Sequence, residues 1–455
     1  MTPARIEPFT PPPRKSWLDR TLSVAADVRA GEGAGALLLA ANVFLLLGFY
    51  YVLKTVREAL ILSEGGAEVK SYAAAGQALL LLGLVPLYGA IASRVNRVKL
   101  ISGVTLFFAS HLVVFYLLGT AGVPVGVAFF LWIGVFNLVI PAQFWAFAND
   151  LYTSDRGKRL FPIVGVGSLL GAWLGAEAAS ALFAPVGPYR LMLLSAVGIV
   201  ASVLLTRWAD RRQRRLAAME GGRDAEQPEP PMGKTGGFQL VFSQRYLLLI
   251  ALLVLVLNVV NTVGEYILGR LVVEDAAAKI ASGAAGGLSE GALIGQFYGE
   301  FFGWVNLVGL FFQLFLVSRL FKWIGVRGTL FVLPLIAVFS YSALAVVPLL
   351  ALVSVVKVLE NSGDYSINNT AKHALFLPTS REAKYKAKQA IDSFFWRTGD
   401  MLQALIVFIG VQLAFGIRGF ALVNLAFVAV WLLLVLGIAA EHRKLTAPDA
   451  AQRVA

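Results

Sequence analysis

Residues 36–61 read ALLLAANVFLLLGFYYVLKTVREALI, and residues 246–268 read YLLLIALLVLVLNVVNTVGEYIL. Each stretch is apolar over roughly the 20 residues a helix needs to cross a bilayer. Each also ends on the same polar signature: Thr55-Val56-Arg57-Glu58 in the first, Thr262-Val263-Gly264-Glu265 in the second. A carboxylate at the end of a membrane span is costly and by default functional. Its recurrence halfway down the chain is what a duplicated transporter would show.

The rest of the chain fits that frame. Of its 455 residues 58% are hydrophobic and only 15% charged, too few charges for a soluble chain of this size. Solid apolar runs, rather than alternating polarity, exclude a membrane β-barrel. The expected fold is an all-α membrane protein of about twelve spans in two six-helix bundles. The spans fall at 36–61, 72–92, 100–119, 123–148, 162–184 and 190–207, then at 246–268, 294–317, 328–347, 349–371, 389–414 and 419–440. The implied divisions are an N-terminal tail (1–34), a first bundle (35–208), a linker (209–245), a second bundle (246–441) and a C-terminal tail (442–455). The tail at the start is Pro-rich and does not read as a cleaved signal; Trp17 to Val28 has the pattern of a short surface helix. The linker, with Arg211 to Arg215 and Pro228 to Pro231, has the composition of a loosely attached segment.

The net charge of +12 does not indicate nucleic acid, because the bases sit in alternate loops. Arg94, Arg97 and Lys99 follow span two; Arg156 and Arg159 follow span four; Arg319 and Arg327 follow span eight; Lys384, Lys386 and Lys388 follow span ten. The positive-inside rule puts these loops and both termini in the cytoplasm, with the protein in the inner (plasma) membrane. There are no cysteines and three scattered histidines, which removes disulfides, thiol chemistry and an evident metal site. No catalytic constellation and no cofactor motif appears. Gly233-Lys234-Thr235 lacks the earlier glycine of a phosphate loop, and Gly167, Gly171 and Gly175 read as a close helix-packing face.

The duplication extends past the opening echo. Ser93-Arg94 recurs as Ser318-Arg319 at an offset of 225, and Thr153-Ser154 as Thr379-Ser380 at 226, against 207 for the echo itself. The difference implies extra residues between spans seven and eight, where Val272 to Leu293 reads as an Ala/Gly-rich external loop.

Candidate site residues are the charges inside spans. Lys54, Arg57 and Glu58 share span one, where two arrangements compete: a self-neutralising Lys54–Glu58 pair with Arg57 reaching for the surface, or an anion-binding or gating cluster facing a central cavity. In span ten Lys357, Glu360, Asn361, Asp364, Asn368 and Lys372 recur at three- and four-residue steps and form a stripe that cannot face lipid. Lys357 to Asn361 is expected to face the cavity, the alternative being a helix docked on its neighbours with an internal pair of Lys357 with Glu360 or Asn361. Span eleven holds Asp392, Arg397, Asp400 and Gln403, and Arg397 and Asp400 are spaced to pair. Lys54, Arg57, Lys357, Asn361 and Arg397 are the expected substrate-binding groups. Glu58, Glu265, Glu300, Asp364 and Asp400 are expected to gate or couple.

Two resemblances add to this reading. Gly89 to Lys99, with Arg94 and Arg97, is similar to the loop after span two of the major facilitator superfamily, with Ser93 and Asn96 in place of its Asp and second Gly. Tyr365-Ser366-Ile367-Asn368-Asn369-Thr370-Ala371-Lys372, then Pro378, then Lys384-Tyr385-Lys386-Ala387-Lys388-Gln389-Ala390-Ile391-Asp392, resembles the ATP/ADP translocase family of plastids and obligate intracellular bacteria. Phe144 to Asp150 with Lys158-Arg159, and Leu53 to Glu58, resemble the same family. The resemblance implies nucleotide exchange, ATP against ADP, through one central site, with Arg57 at the family's span-one base and Glu265 at its span-seven acid. The chain departs from the family at Ile133, where a span-four glutamate is expected, at Asp400, where a lysine is expected, and at Asp364, which replaces a base. The alternative is a proton-coupled carrier of another anionic or phosphorylated metabolite, suggested by Glu265, Glu300 and Asp400. A membrane scaffold or sensor without transport is a third reading.

Overall fold

The computed structural model describes residues 15–23, 26–92, 97–152, 154–219 and 236–446. The Pro-rich start, the loop at Ser93 to Asn96, Thr153 and the Pro-rich centre of the linker lie outside them. Every element is helical: α1 (Trp17–Leu22), α2 (Gly33–Ala92), α3 (Arg97–Thr120), α4 (Gly126–Leu151), α5 (Ser154–Val186), α6 (Pro188–Met219), α7 (Gly237–Ser243), α8 (Arg245–Ala281), α9 (Glu290–Phe311), α10 (Val317–Thr329), α11 (Val332–Val346), α12 (Leu350–Gly363), α13 (Asn369–Leu375), α14 (Lys388–Ala390), α15 (Trp396–Gln412) and α16 (Ile417–Leu445). Among the described residues nine helical runs are long and apolar enough to cross a membrane.

Those runs hold ten spans, and the shorter α11 and the α12–α13 segment bring the number to twelve. α2 holds spans one and two, which meet at Gly66. Its φ of +73° is open to glycine at no steric cost. Lys70 reaches Glu58 at 2.6 Å; twelve residues along a straight helix would separate them by about 18 Å, so the chain folds back there. Span eight is α9 with α10, and Gly325 (φ +68°) turns it into span nine, the fifteen-residue α11. Span ten is α12 and α13 joined through a π-helical turn at Asp364–Asn368, and span eleven runs from π-helical Ala383–Ala387 through α14 and a further π turn, Ile391–Phe395, into α15. A fourth π turn, Phe312–Leu316, links α9 to α10.

Three boundaries differ from the sequence reading. The loop expected between spans one and two is a single glycine. The segment Val272 to Leu293 is mostly helix: α8 runs on to Ala281 and α9 starts at Glu290. Ala is the best helix former, and Ala276 to Ala278 continue the span instead of ending it. At the linker, α6 extends to Met219 and α7 occupies Gly237–Ser243, so both ends of that segment are helical.

Helix approach follows the glycines. A Cβ on Gly167, Gly171 or Gly175 would run into the carbonyls of Ala40, Phe44 and Gly48, which seats α5 directly on span one as the four-residue spacing predicts. Across the two halves, Gly299 abuts the Ser180 backbone at 2.6 Å from where its Cβ would lie, with Gly295 against Phe183 and Gly303 against Glu177. The halves also meet through α2 with α9 and α2 with α15.

Candidate functional site

Where the two halves face each other, a central cavity of about 250 Å³ is lined by residues of both. Span one supplies Tyr50, Lys54, Arg57 and Glu58; span two Lys70, Ser71 and Gln77; span seven Asn261, Glu265 and Tyr266; span ten Asn361 and Tyr365; span eleven Arg397, Asp400 and Gln403. The two echoed carboxylates, Glu58 and Glu265, therefore line one chamber.

The charges are organised by pairs, several of them between different helices. Glu58, 1% exposed, is flanked by Arg57 and by Lys70 of span two. Of the two arrangements offered for span one the first does not hold: Lys54 does not pair with Glu58, and Arg57 turns back to Glu58, over the Phe130 ring, instead of reaching the surface, while all three residues line the chamber. Lys54 points into rings. Its ammonium lies 4.0 Å from the Phe302 centroid, 5.0 Å from Tyr51 and 5.8 Å from Tyr365.

Lys357 is a correction. It is fully buried behind the cavity wall, bonded to the Asn261 side chain (2.8 Å), the Asn261 carbonyl (3.2 Å) and Glu360 (2.9 Å), with Glu265 at 3.5 Å. Tyr341 donates to Glu360 at 3.1 Å. Lys357 thus holds Glu265 from behind while Asn361 donates to it at 2.9 Å from the side. Gly264 makes the space: a Cβ there would strike the Tyr341 hydroxyl and come within 3.1 Å of the Lys357 ammonium.

Arg397 and Asp400 do pair, at 3.2 Å, and Asn258 donates to Asp400 at 2.7 Å. Gln403 bonds Ser71 at 3.0 Å across the two halves. Asp364 and Glu300 fall outside the cavity lining. Asp364 accepts from Asn368 at 2.7 Å and faces Lys372 at 3.9 Å, so its π turn satisfies it locally. Glu300 is exposed on the side of α9, because the face of that helix bearing Phe302 turns inward instead. Lys70, Tyr51, Phe302 and Tyr365 are the residues that sequence reasoning missed. Only the turn at Gly65-Gly66 could have signalled that Lys70 folds back on Glu58.

A further cavity lies beyond each end of the chamber, and at one end a hydrogen bond joins the two halves between them. At the end away from the basic loops, Tyr266 of the chamber donates to Glu68 at 2.8 Å, and Glu68 lines a separate cavity of about 430 Å³. At the basic-loop end a larger, mostly apolar cavity of about 910 Å³, with Leu82, Val85, Leu138 and Phe394 in its wall, shares Arg397 with the chamber.

This arrangement has solved counterparts. A POT family transporter in complex with a thioalcohol-conjugated peptide superposes with a TM-score of 0.62 at 14% identity, covering 96% of this chain and 99% of that one. The nucleoside transporter NupG gives 0.59 at 12% identity, over 89% and 98%. A bacterial homologue of the human lysosomal transporter Spinster, inward-facing and unoccupied, gives 0.57 at 14%, over 91% and 98%. The chain has a major-facilitator-like fold. No protein-family model matches it and no curated protein matches its sequence. At these identities the likeness carries the architecture alone: an all-α, multi-pass membrane protein with its cavity between two six-helix halves.

Proposed function

We propose that this chain is a secondary transporter that moves anionic metabolites of the nucleotide class across the plasma membrane by alternating access, with the basic loops and both termini in the cytoplasm. The observation that carries this reading is the central chamber. It is built from both halves, lined by Lys54, Arg57, Lys70 and Arg397, bridged at the far end by Tyr266 and Glu68 and bordered at the basic end by the larger cavity. A rocking of one half on the other would open one end and close the other. In this reading Lys54, Arg57, Asn361 and Arg397 hold the anion as charge-assisted donors, while Glu58, Glu265 and Asp400 set the charge of the empty chamber and couple it to movement.

Exchange of ATP against ADP is the finer form of this reading, supported by the resemblance of Tyr365 to Asp392. Proteoliposomes loaded with ADP should then take up labelled ATP, and unloaded ones should not. Absence of flux for every nucleotide, in a preparation that is folded and monodisperse, would rule the reading out. A second form is favoured by the position of Glu265, 22% exposed in the chamber wall: a proton-coupled carrier of another anionic or phosphorylated metabolite. Uptake would then follow an imposed pH gradient, and Glu265→Gln would abolish that dependence.

A further inference from the structure

Among the described residues the chamber holds one cation, Lys54, with no hydrogen-bond or ion-pair partner. Lys54 is only 8% exposed, yet among the described residues no carboxylate, carbonyl or hydroxyl bonds its ammonium. A buried charge without a partner is expensive. The faces of Phe302, Tyr51 and Tyr365 offset part of that cost by cation–π attraction, but rings accept no strong hydrogen bond, so its donors remain free for a ligand. Every other cation of the chamber is engaged. Arg57 and Lys70 share Glu58, Lys357 is held by Glu360 and Glu265, and Arg397 is held by Asp400. In and directly behind the chamber stand Lys54, Arg57, Lys70, Lys357 and Arg397 against Glu58, Glu265, Glu360 and Asp400, an excess of one positive charge.

We infer that the chamber takes a small metabolite with a flat ring and a single anionic group, a carboxylate or one phosphate, and that the Lys54 ammonium receives that group. The inference rests on the transport reading above and narrows its substrate. Tyr50, Phe130, Phe302 and Tyr365 line the same chamber and offer aromatic surface against which a ring can pack. The volume of about 250 Å³ lies below the roughly 300–1,000 Å³ of sites for drug-sized ligands. A nucleoside triphosphate would need several free cations, and each further one is obtained only by stripping a buried carboxylate of its partner.

The test is ligand binding to the purified full chain, followed by thermal shift and calorimetry. Orotate and AMP probe the carboxylate and phosphate arms; adenosine is the uncharged control, and ADP and ATP are the polyanionic ones. Orotate or AMP should bind at least tenfold tighter than ATP, and adenosine weakest. Lys54→Met should weaken the single-anion ligand at least tenfold, and Lys54→Arg should restore most of it. The unliganded Lys54→Met protein should melt at the same temperature as the parent or above it, because an unmet charge has been removed. ATP binding more tightly than AMP and orotate overturns the inference and leaves the transport reading standing. Binding of none of them to a folded protein overturns both. A Lys54→Met protein that binds normally, or that is strongly destabilised without ligand, also overturns the inference, since either result gives the ammonium a structural partner.

Discussion

At residue 264 the second half carries a glycine where the first half has Arg57, and the chamber shows what each choice does. In the first half the base stands beside its acid on the same helix, and Lys70 joins it from the next. In the second half the space of a side chain at 264 is taken by Tyr341 and Lys357, and the base reaches Glu265 from span ten. Both halves therefore hold an echoed glutamate against a cation, by different routes. This predicts that Lys357→Met, which leaves Glu360 and Glu265 without their cation, destabilises by roughly 3–5 kcal/mol. A Lys357→Met/Glu360→Leu double variant should recover much of that loss, as melting curves in detergent would show. The charges themselves were legible in the sequence, because ionisable residues in apolar runs stand out. Their partners were not, since Lys70–Glu58 depends on a turn at one glycine and Lys54's cage on rings from spans one, eight and ten. Helical spacing reports neighbours within a helix, and the pairs at Arg397–Asp400 and Lys357–Glu360 are the ones it found.

The elements show the same division between local and distant information. Apolar length placed the spans, and the Gly167, Gly171 and Gly175 spacing identified the face on which α5 rides. Gly171→Leu should prevent close packing on Phe44 and lower the melting temperature sharply, whereas Gly165→Leu should be tolerated, because a Cβ at Gly165 meets nothing within 4 Å. The start of α2 is held by a second local device. Glu32 is buried, which pushes its carboxyl up, but Arg159, Arg156 and the Arg29 amide outweigh that and hold it at about 2 against an ordinary 4.5. The depressed value means that this contribution is complete above about 4.5 and is lost as pH falls through about 2. The parent should therefore lose melting temperature over that acid range more steeply than Glu32→Gln, which begins lower and stays flatter. What periodicity could not show was the set of π turns. Three of the four described lie in spans ten and eleven, in or beside the block from Tyr365 to Asp392. Each adds a residue to a turn and rotates the helix beyond it; ahead of that rotation Asn361 and Tyr365, four apart, share the chamber face and Asp364 does not.

For the whole molecule the relevant contact is the far-end bridge, where Tyr266 of the second half meets Glu68 of the first. The chain has no cysteine, so introduced thiols are unambiguous. Glu68→Cys/Tyr266→Cys joined by a short bifunctional maleimide should arrest transport in liposomes, and neither single variant treated the same way should. Full transport by the cross-linked protein would exclude a closure that opens there in each cycle. The two-half architecture was readable from the repeat, because duplication writes the same signature twice. The shape of the cavity was not, since it depends on how α9 and α15 lie against α2.

One element extends the molecule beyond its own bundle. Arg270 of α8 donates to the carbonyl of Phe415, in the turn between α15 and α16. That sets the level at which the neighbouring helices end, yet α8 continues to Ala281. Those eleven residues add about 16 Å of helix, packed as far as Ala276, which is buried, and exposed from Ala277 to Ala281. Span seven thus carries a pointer fixed to one wall of the chamber: a tilt of about ten degrees would swing the tip by nearly 3 Å relative to its base. A spectroscopic label near Lys279 would turn that tilt, small at the level of Glu265, into a displacement that can be read from outside the membrane.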